Sequence, residues 1–418
     1  MKYAVVTFGC RVNQADSFVL EDGLRARGLT GAPAQDADLV IVNSCSVTAT
    51  ADQGTRQTIR RIARDNPTAR IVVTGCYATR QPEDVAVLPN VLRVIGNTGK
   101  DRLLEELDAE GLAGVPPSTE GDGPCGATLH PGLAGRTALA LRVQTGCDET
   151  CSYCIIPNTR GRGRSLPLDR VVRDVRMAVD AGYKEIAIAG VHLGSYGRDL
   201  GDGTTLDQLV DCLAEWPADV RFRVSSLEPM DCTPRIIERM ADSSRLAAHF
   251  HLPLQHGSDA MLGAMRRPYT ARAYAELIGR IHDRLPAAAI GTDVIVGFPG
   301  ETDADFARTL ALVERLPFSH VHVFPYSDRP GTDASTWGRT ADGATIRERG
   351  RLIRDAAARS SRAFQSQQIG TRHRALTVED GSRAVTGNYL KLAIPPGHLR
   401  NEWVDVTVGG VPGALTGI

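Results

Sequence analysis

The chain has 418 residues and almost no excess of either charge: 48 basic and 49 acidic side chains leave a formal net charge of −1. A uniformly basic coat for nucleic acid is excluded, so any polyanion must be met by a local patch. No apolar run approaches the ~20 residues that cross a bilayer. The opening MKYAVVTFGC passes into the polar RVNQADS without a small-residue cleavage signal. No membrane association and a cytoplasmic location are therefore expected. The nine cysteines lack a secretion context, so metal binding or reduced thiols suit them better than a disulfide framework. An apolar content of 42% is enough for ordinary cores, and the length corresponds to roughly two to four domains.

The strongest chemical signal is also marked by something missing. In VQTGCDETCSYCIIPNTRGRGRS, Cys147, Cys151 and Cys154 are spaced C-x3-C-x2-C, so one loop can aim three thiolates at a single cluster. Four-iron clusters normally take four cysteines. Three leave one iron open to a non-protein ligand, and an open iron is reactive.

The first hundred residues repeat one pattern. The runs 3–8 (YAVVTF), 39–42 (LVIV) and 70–74 (RIVVT) are short, β-branched and nearly continuous, as strands buried on both faces are. They alternate with helical stretches at 17–27 and 51–64, which predicts a parallel α/β sheet. Each strand runs out at a cysteine: Gly9-Cys10, Asn43-Ser44-Cys45 and Gly75-Cys76. The carboxyl edge of an open parallel sheet is where ligands bind. Any one of these thiols could be a small core hydrophobe, but three in one topological position point to a shared ligand. A structural zinc site wants four protein ligands, so a second three-cysteine iron–sulfur cluster explains the count better.

Residues 108–135 are rich in Gly and Pro and read as a linker; Cys125 within it has no partner at ligand spacing. From 136 to 366, six strand-like runs (139–143, 185–189, 221–225, 249–254, 291–296 and 320–324) alternate with amphipathic stretches. A full or partial barrel follows, with chemistry at the carboxyl strand ends. Those ends carry GVHLGSYG, SSLE, QHGS and GFPGE, each an ordinary turn by itself and together one mouth. Residues 367–418 read as short β-runs, a small all-β module of the kind that can bind looped RNA; Tyr389, Lys391 and His398 supply aromatic and basic groups. Arginines cluster at 160–176 and 347–374. Those at 160, 162 and 164, beside the cysteine loop, are the expected phosphate contacts.

These motifs carry a resemblance. GCDETCSYCIIPNTRGRGRS is similar to the cluster-binding segment of radical S-adenosylmethionine (SAM) enzymes, while TFGCRVNQADS, VNSCSVT and VTGCYA resemble the three cysteine motifs of the methylthiotransferases in that superfamily. HLPLQHGSDAMLGAMRRPYT, TDVIVGFPGETDADF and HVFPYSDRPGT continue the similarity in order over nearly the whole chain. The resemblance implies an α/β protein with an N-terminal parallel sheet domain (1–107), a partial (βα) radical SAM barrel (136–366) and a small all-β TRAM-like domain (367–418). It implies a [4Fe-4S] cluster on Cys147, Cys151 and Cys154 whose open iron is chelated by SAM, and an auxiliary [4Fe-4S] cluster on Cys10, Cys45 and Cys76 that supplies sulfur. Strand-end position and resemblance together nominate Gly190, Ser226, Glu228, Gln255 and Asp293 as SAM contacts; no catalytic side chain is nominated. Val12-Asn13-Gln14 most resembles the branch that methylthiolates C2 of N6-threonylcarbamoyladenosine (t6A) at position 37, next to the anticodon. Isopentenyladenosine of tRNA and an aspartate of a ribosomal protein are the alternative substrates. The implied partners are a tRNA anticodon stem-loop, an electron donor and a sulfur source. A zinc-stabilised RNA-binding protein without catalysis is the rival from another class, disfavoured because each thiolate set has three members.

Overall fold

In the computed structural model, residues 1–111, 127–132, 135–338 and 341–418 are described. Cys125 and most of the Gly/Pro-rich segment lie outside them. The amino-terminal strands β1 (Lys2–Thr7), β2 (Thr30–Gly31), β3 (Leu39–Ser44), β4 (Arg70–Gly75) and β5 (Val91–Ile95) form one parallel sheet in the order β2-β1-β3-β4-β5. Alternation divides its core between two faces. Leu39, Ile41 and Val72 pack with Leu20 and Leu24 of helix α1 (Arg11–Ala26). Val40, Val42, Ile71 and Val73 pack with Ile59 and Ile62 of helix α2 (Ala49–Asp65). Helix α1 starts six residues before the apolar periodicity predicts. Its first turns bury polar side chains, Asn13, Asp16 and Ser17, which a search for apolar spacing passes over.

The central strands are β6 (Leu139–Arg142), β9 (Glu185–Ala189), β10 (Arg221–Val224), β11 (His249–His251), β12 (Ala289–Val296) and β13 (His320–Pro325). A two-residue ribbon, β7 (Gln144–Thr145) against β8 (Arg164–Ser165), frames the cysteine loop. Strands β6, β9 and β10 pair in parallel, as do β11, β12 and β13; single parallel bridges, Phe222 to Leu246 and Ser226 to His251, join the two halves. Among the described residues β13 does not pair back to β6, so the barrel is partial. The outer faces of the strands, including Phe222, Phe250, Ile290 and Val294, pack against helices. The alternate residues, Ala140, Ala187, Arg223, His251, Asp293 and His322, therefore face the lumen, which is polar and has room.

A long helix (Gly343–Gln368) leads into β14 (Arg372–Val378), β15 (Arg383–Thr386), β16 (Lys391–Ala393), β17 (Trp403–Val411) and β18 (Ala414–Gly417), which close into a small barrel. It sits on the amino-terminal end of the central strands. Ala289 at the start of β12 joins its core, and Arg221 and Arg223 of β10 donate to the carbonyls of Arg374, Val385, Thr386 and Gly387. Glu185 lies between the two guanidinium groups and offsets part of this buried positive charge; the remaining donors are taken by the carbonyls. Among the described residues no helix is long and apolar enough to cross a membrane.

Candidate cluster sites and the barrel lumen

Strands β1, β3 and β4 are neighbours, so their carboxyl ends bring Cys10, Cys45 and Cys76 to one edge of the sheet. Cys10 precedes α1 and is exposed, whereas Cys45 and Cys76 are buried. The approach is close enough to demand glycine before Cys10: Gly9 has φ +84°, and a Cβ there would lie 2.6 Å from Cys45 Sγ. Burial pushes the Cys45 thiol up to about 12, and the neighbouring Cys76 and Cys10 thiols add to this by disfavouring another negative charge.

The surroundings supply that edge with cations. Asp16 accepts from Lys100 Nζ at 3.0 Å, Arg142 Nη1 at 2.6 Å and Arg160 Nη2 at 3.1 Å. Burial alone would raise its carboxyl, but the three cations hold it well below the usual carboxylate range. Arg142 also pairs with Asp101 at 3.1 Å, so two carboxylates serve three cations; the surplus lies where Cys10 and Cys76 add negative potential at Arg160. Asn97 Nδ2 also approaches Cys76 Sγ at 3.6 Å. An edge of three thiols backed by uncompensated buried cations fits an anionic, thiolate-ligated cluster. Arg160, expected as a phosphate contact, is instead 3% exposed and committed to Asp16 and Asn13. Arg162 is exposed and paired with Asp148 at 3.1 Å, and Arg164 is exposed. In the second arginine cluster, Arg349 is buried against Glu301 and Asp303.

The other three thiols, Cys147, Cys151 and Cys154, are half-buried on the loop between β7 and β8. Gly146 makes the turn, with φ +73° and no space for a Cβ, which would lie 1.9 Å from the Arg162 carbonyl oxygen. Burial raises the thiols of Cys147 to about 11 and Cys154 to about 12, and the neighbouring thiols contribute. Two donors compensate a charge here: Glu149 N–H at 3.4 Å from Cys147 Sγ and Arg267 Nη1 at 3.1 Å from Cys151 Sγ. Three thiolates on one zinc would stand about 3.8 Å apart. Among the described residues the group of three ligands with all atoms within 4.8 Å is His251, His320 and His322, and neither cysteine triplet is that tight. A four-iron cluster, whose ligands are spread over separate corners, suits such spacing better.

The nominated SAM contacts fall into two places. Gly190 follows β9 beside Gln144, whose Oε1 accepts from the Val191 and His192 N–H groups, and His192 Nδ1 lies 3.8 Å from Cys147 Sγ. Glu228 pairs with Arg267, the same side chain that donates to Cys151. Both are therefore beside the cysteine loop. Ser226 and Gln255 hold the seams on either side of β11, Ser226 bridging to His251 and Gln255 to Val294 of β12. Asp293 lies deeper in the lumen, 3.3 Å from His251 Nε2. His320 beside it is pushed down to about 4 by burial and by the neighbouring His251 and His322, so it is neutral near pH 7. Sequence reasoning missed Arg267, His192, Lys100 and Asn97. Arg267 and His192 had a signal available, since they lie in the segments HLPLQHGSDAMLGAMRRPYT and GVHLGSYG.

Two family models match the chain: an uncharacterized protein family, UPF0004, over residues 2–96 and the radical SAM superfamily over residues 141–313. The second match spans the Cys147–Cys154 loop and brings with it SAM and a [4Fe-4S] cluster. The threonylcarbamoyladenosine tRNA methylthiotransferase MtaB of Aquifex aeolicus is 34% identical, over 94% of this chain and 96% of its own length. Its Thermotoga maritima counterpart is 35% identical over 97% and 92%. A tRNA-2-methylthio-N(6)-dimethylallyladenosine synthase of Novosphingobium aromaticivorans is 35% identical over 88% and 84%. Among solved structures, the radical SAM methyltransferase TsrM of Kitasatospora setae has a similar fold, with TM-score 0.56 at 15% identity over 80% of this chain and 75% of that one. The two thiol edges, the partial barrel and these relatives agree: the chain belongs to the radical SAM methylthiotransferases, in their MtaB-like branch.

Proposed function

We propose that the protein methylthiolates C2 of t6A at position 37 of tRNA, with Cys147, Cys151 and Cys154 holding the SAM-binding [4Fe-4S] cluster and Cys10, Cys45 and Cys76 holding a second. The observation that carries this reading is the Asp16 network. It ties α1, which begins directly after Cys10, to Arg160 at the end of the Cys147–Cys154 loop, so the two three-thiol edges share one buried anchor. When bound, the clusters and SAM supply radical chemistry: removal of hydrogen from an unactivated carbon and a sulfur atom to take its place.

The side chains do the rest. Arg267 and the Glu149 N–H neutralise thiolate charge at one edge, and Lys100, Arg160 and Asn97 do so at the other. Gly190, Ser226, Glu228, Gln255 and Asp293 line the approach for SAM. Ala140 and Ala187 leave room on the lumen wall for a base turned out of its loop. The small barrel and the exposed Arg162, Arg164, Arg354 and Arg362 offer the tRNA backbone its contacts. In this reading 1–107, 136–366 and 367–418 act as cluster, radical and RNA modules, served by an electron donor and a sulfur source.

Nucleoside mass spectrometry of tRNA from a strain lacking the gene tests the substrate. Loss of 2-methylthio-t6A is expected, and loss of 2-methylthio-isopentenyladenosine in its place overturns the assignment. Anaerobically reconstituted protein should hold about eight irons. The Cys10/Cys45/Cys76 triple alanine variant should hold about half and still cleave SAM, and equal iron in both proteins would sink the second cluster.

A further inference from the structure

Arg11 follows Cys10 directly and, among the described residues, has no ion pair. A cavity of about 480 Å³ lies where three parts of the chain meet, with Arg11 and Gln14 from α1, Ala140 and Ala187 from the central barrel, and Tyr389 and Lys391 from the small barrel on its wall. Its other charged side chains are already engaged. Lys391 pairs with Glu379 at 2.6 Å, Arg136 donates to Gln14 Oε1 at 3.1 Å, and Glu185 is shared by Arg221 and Arg223. Among the described residues no carboxylate lies within ion-pair distance of Arg11. Its Nη2 donates to Tyr389 Oη at 2.9 Å, and its guanidinium carbon stands 5.7 Å from that ring's centroid. Tyr389 is itself held between the Arg223 guanidinium, 4.5 Å from the ring centroid, and the His249 ring at 5.0 Å. The guanidinium is thus aimed and half-buried without a counter-charge.

We infer that Arg11 is the specificity residue of this site: it binds the carboxylate of an anionic N6 substituent on the adenosine, with Tyr389 positioning it from the small barrel. This rests on the t6A reading and deepens it. The threonylcarbamoyl group ends in a free carboxylate, whose planar pair of oxygens matches the guanidinium fork. An isopentenyl group has no charge and would bury Arg11 without a partner, which is the costlier error for a site built to bind a polar group. Because Cys10 and Arg11 are consecutive, the cluster edge and the charge reader are one side chain apart. A substrate held by its carboxylate is presented to that edge.

The test uses the holoenzyme and two anticodon stem-loop RNAs, one carrying t6A and one its methyl ester, which keeps the shape and removes the charge. Binding is read by fluorescence anisotropy and methylthiolation by nucleoside mass spectrometry. The parent should prefer the acid by roughly ten- to a hundredfold in Kd, the worth of one charge-assisted pair. R11Q should abolish that preference, R11K should keep part of it, and Y389F should reduce it while leaving the charge in place. Equal iron content in all four proteins excludes loss of a cluster as the cause. The inference is overturned if R11Q retains the parent's acid-over-ester ratio, or if the parent has no preference. A parent that ignores both RNAs but modifies isopentenyladenosine refutes the substrate reading as well. Retention of the ratio by R11Q in an enzyme active on t6A refutes the role of Arg11 alone.

Discussion

Asp16→Asn tests the anchor between the two cluster edges with almost no change of shape. Asp16 is 4% exposed, and the cations it serves, Lys100 at 5% and Arg160 at 3%, are equally buried; Arg142, a quarter exposed and also paired with Asp101, counts for less. Removing one member of a buried pair costs about 3–5 kcal/mol, because the remaining charge is left uncompensated. The neutral amide can still accept from only some of these donors, so the loss should fall in that range. It is a large fraction of a domain stability of about 5–15 kcal/mol. Anaerobic urea denaturation of parent and variant measures it. The carboxyl is depressed in the fold, so its contribution is present above the unfolded value, about 3.9, and is lost as pH falls through the folded one. The gap between the proteins should therefore be the same at pH 6 and pH 8. Hydrogen exchange should also quicken at 156–160, where Arg160 loses its partner. A gap under about 1 kcal/mol, with unchanged exchange, would refute the account of Asp16 as the anchor.

Three further outcomes follow from single contacts. Gly9→Ala places a methyl carbon 2.6 Å from Cys45 Sγ at φ +84°, so iron content should fall by about half while SAM cleavage survives; full iron would show the edge is not that tight. Arg267→Met removes the donor to Cys151 Sγ and the partner of Glu228, so SAM cleavage should slow by about tenfold or more. The electron paramagnetic resonance signal of the reduced cluster should shift too, and an unaltered signal and rate would argue against the role. His320→Gln addresses pH: the parent imidazole titrates near 4 in the fold and near 6.5 unfolded, so acidification through that window destabilises the parent. The variant's stability should fall by about 2 kcal/mol less between pH 6.5 and pH 4.5, and parallel curves would refute the assignment.

The two three-cysteine sets were legible because each signal is local. The C-x3-C-x2-C spacing is a property of one loop, and a cysteine at the end of a β-branched run needs only the strand to be recognised. The six strands of the partial barrel were legible from local patterns too: β9 is a nearly continuous apolar run, while β10, β11 and β13 alternate polar and apolar residues. The edge strand β5 is partly exposed and β2 has two residues, so neither produces such a run. The closure of the small barrel, which depends on β16 meeting β18 in parallel at Ala393 and Thr416, is likewise invisible before the chain folds.

The chain alone therefore determined the α/β class, the two three-thiol sets and the order of the modules, because these depend on spacing and periodicity between near neighbours. Tertiary structure alone decided what each charge does. Arg160 opens the basic run RGRGR and looks like a phosphate ligand, yet it is buried on Asp16, 144 residues away. Arg11 looks like an ordinary first-turn cation, yet it faces a cavity closed by Tyr389, 378 residues away. The energy of a charge is set by burial and by its nearest partner, and in both cases that partner comes from a distant segment.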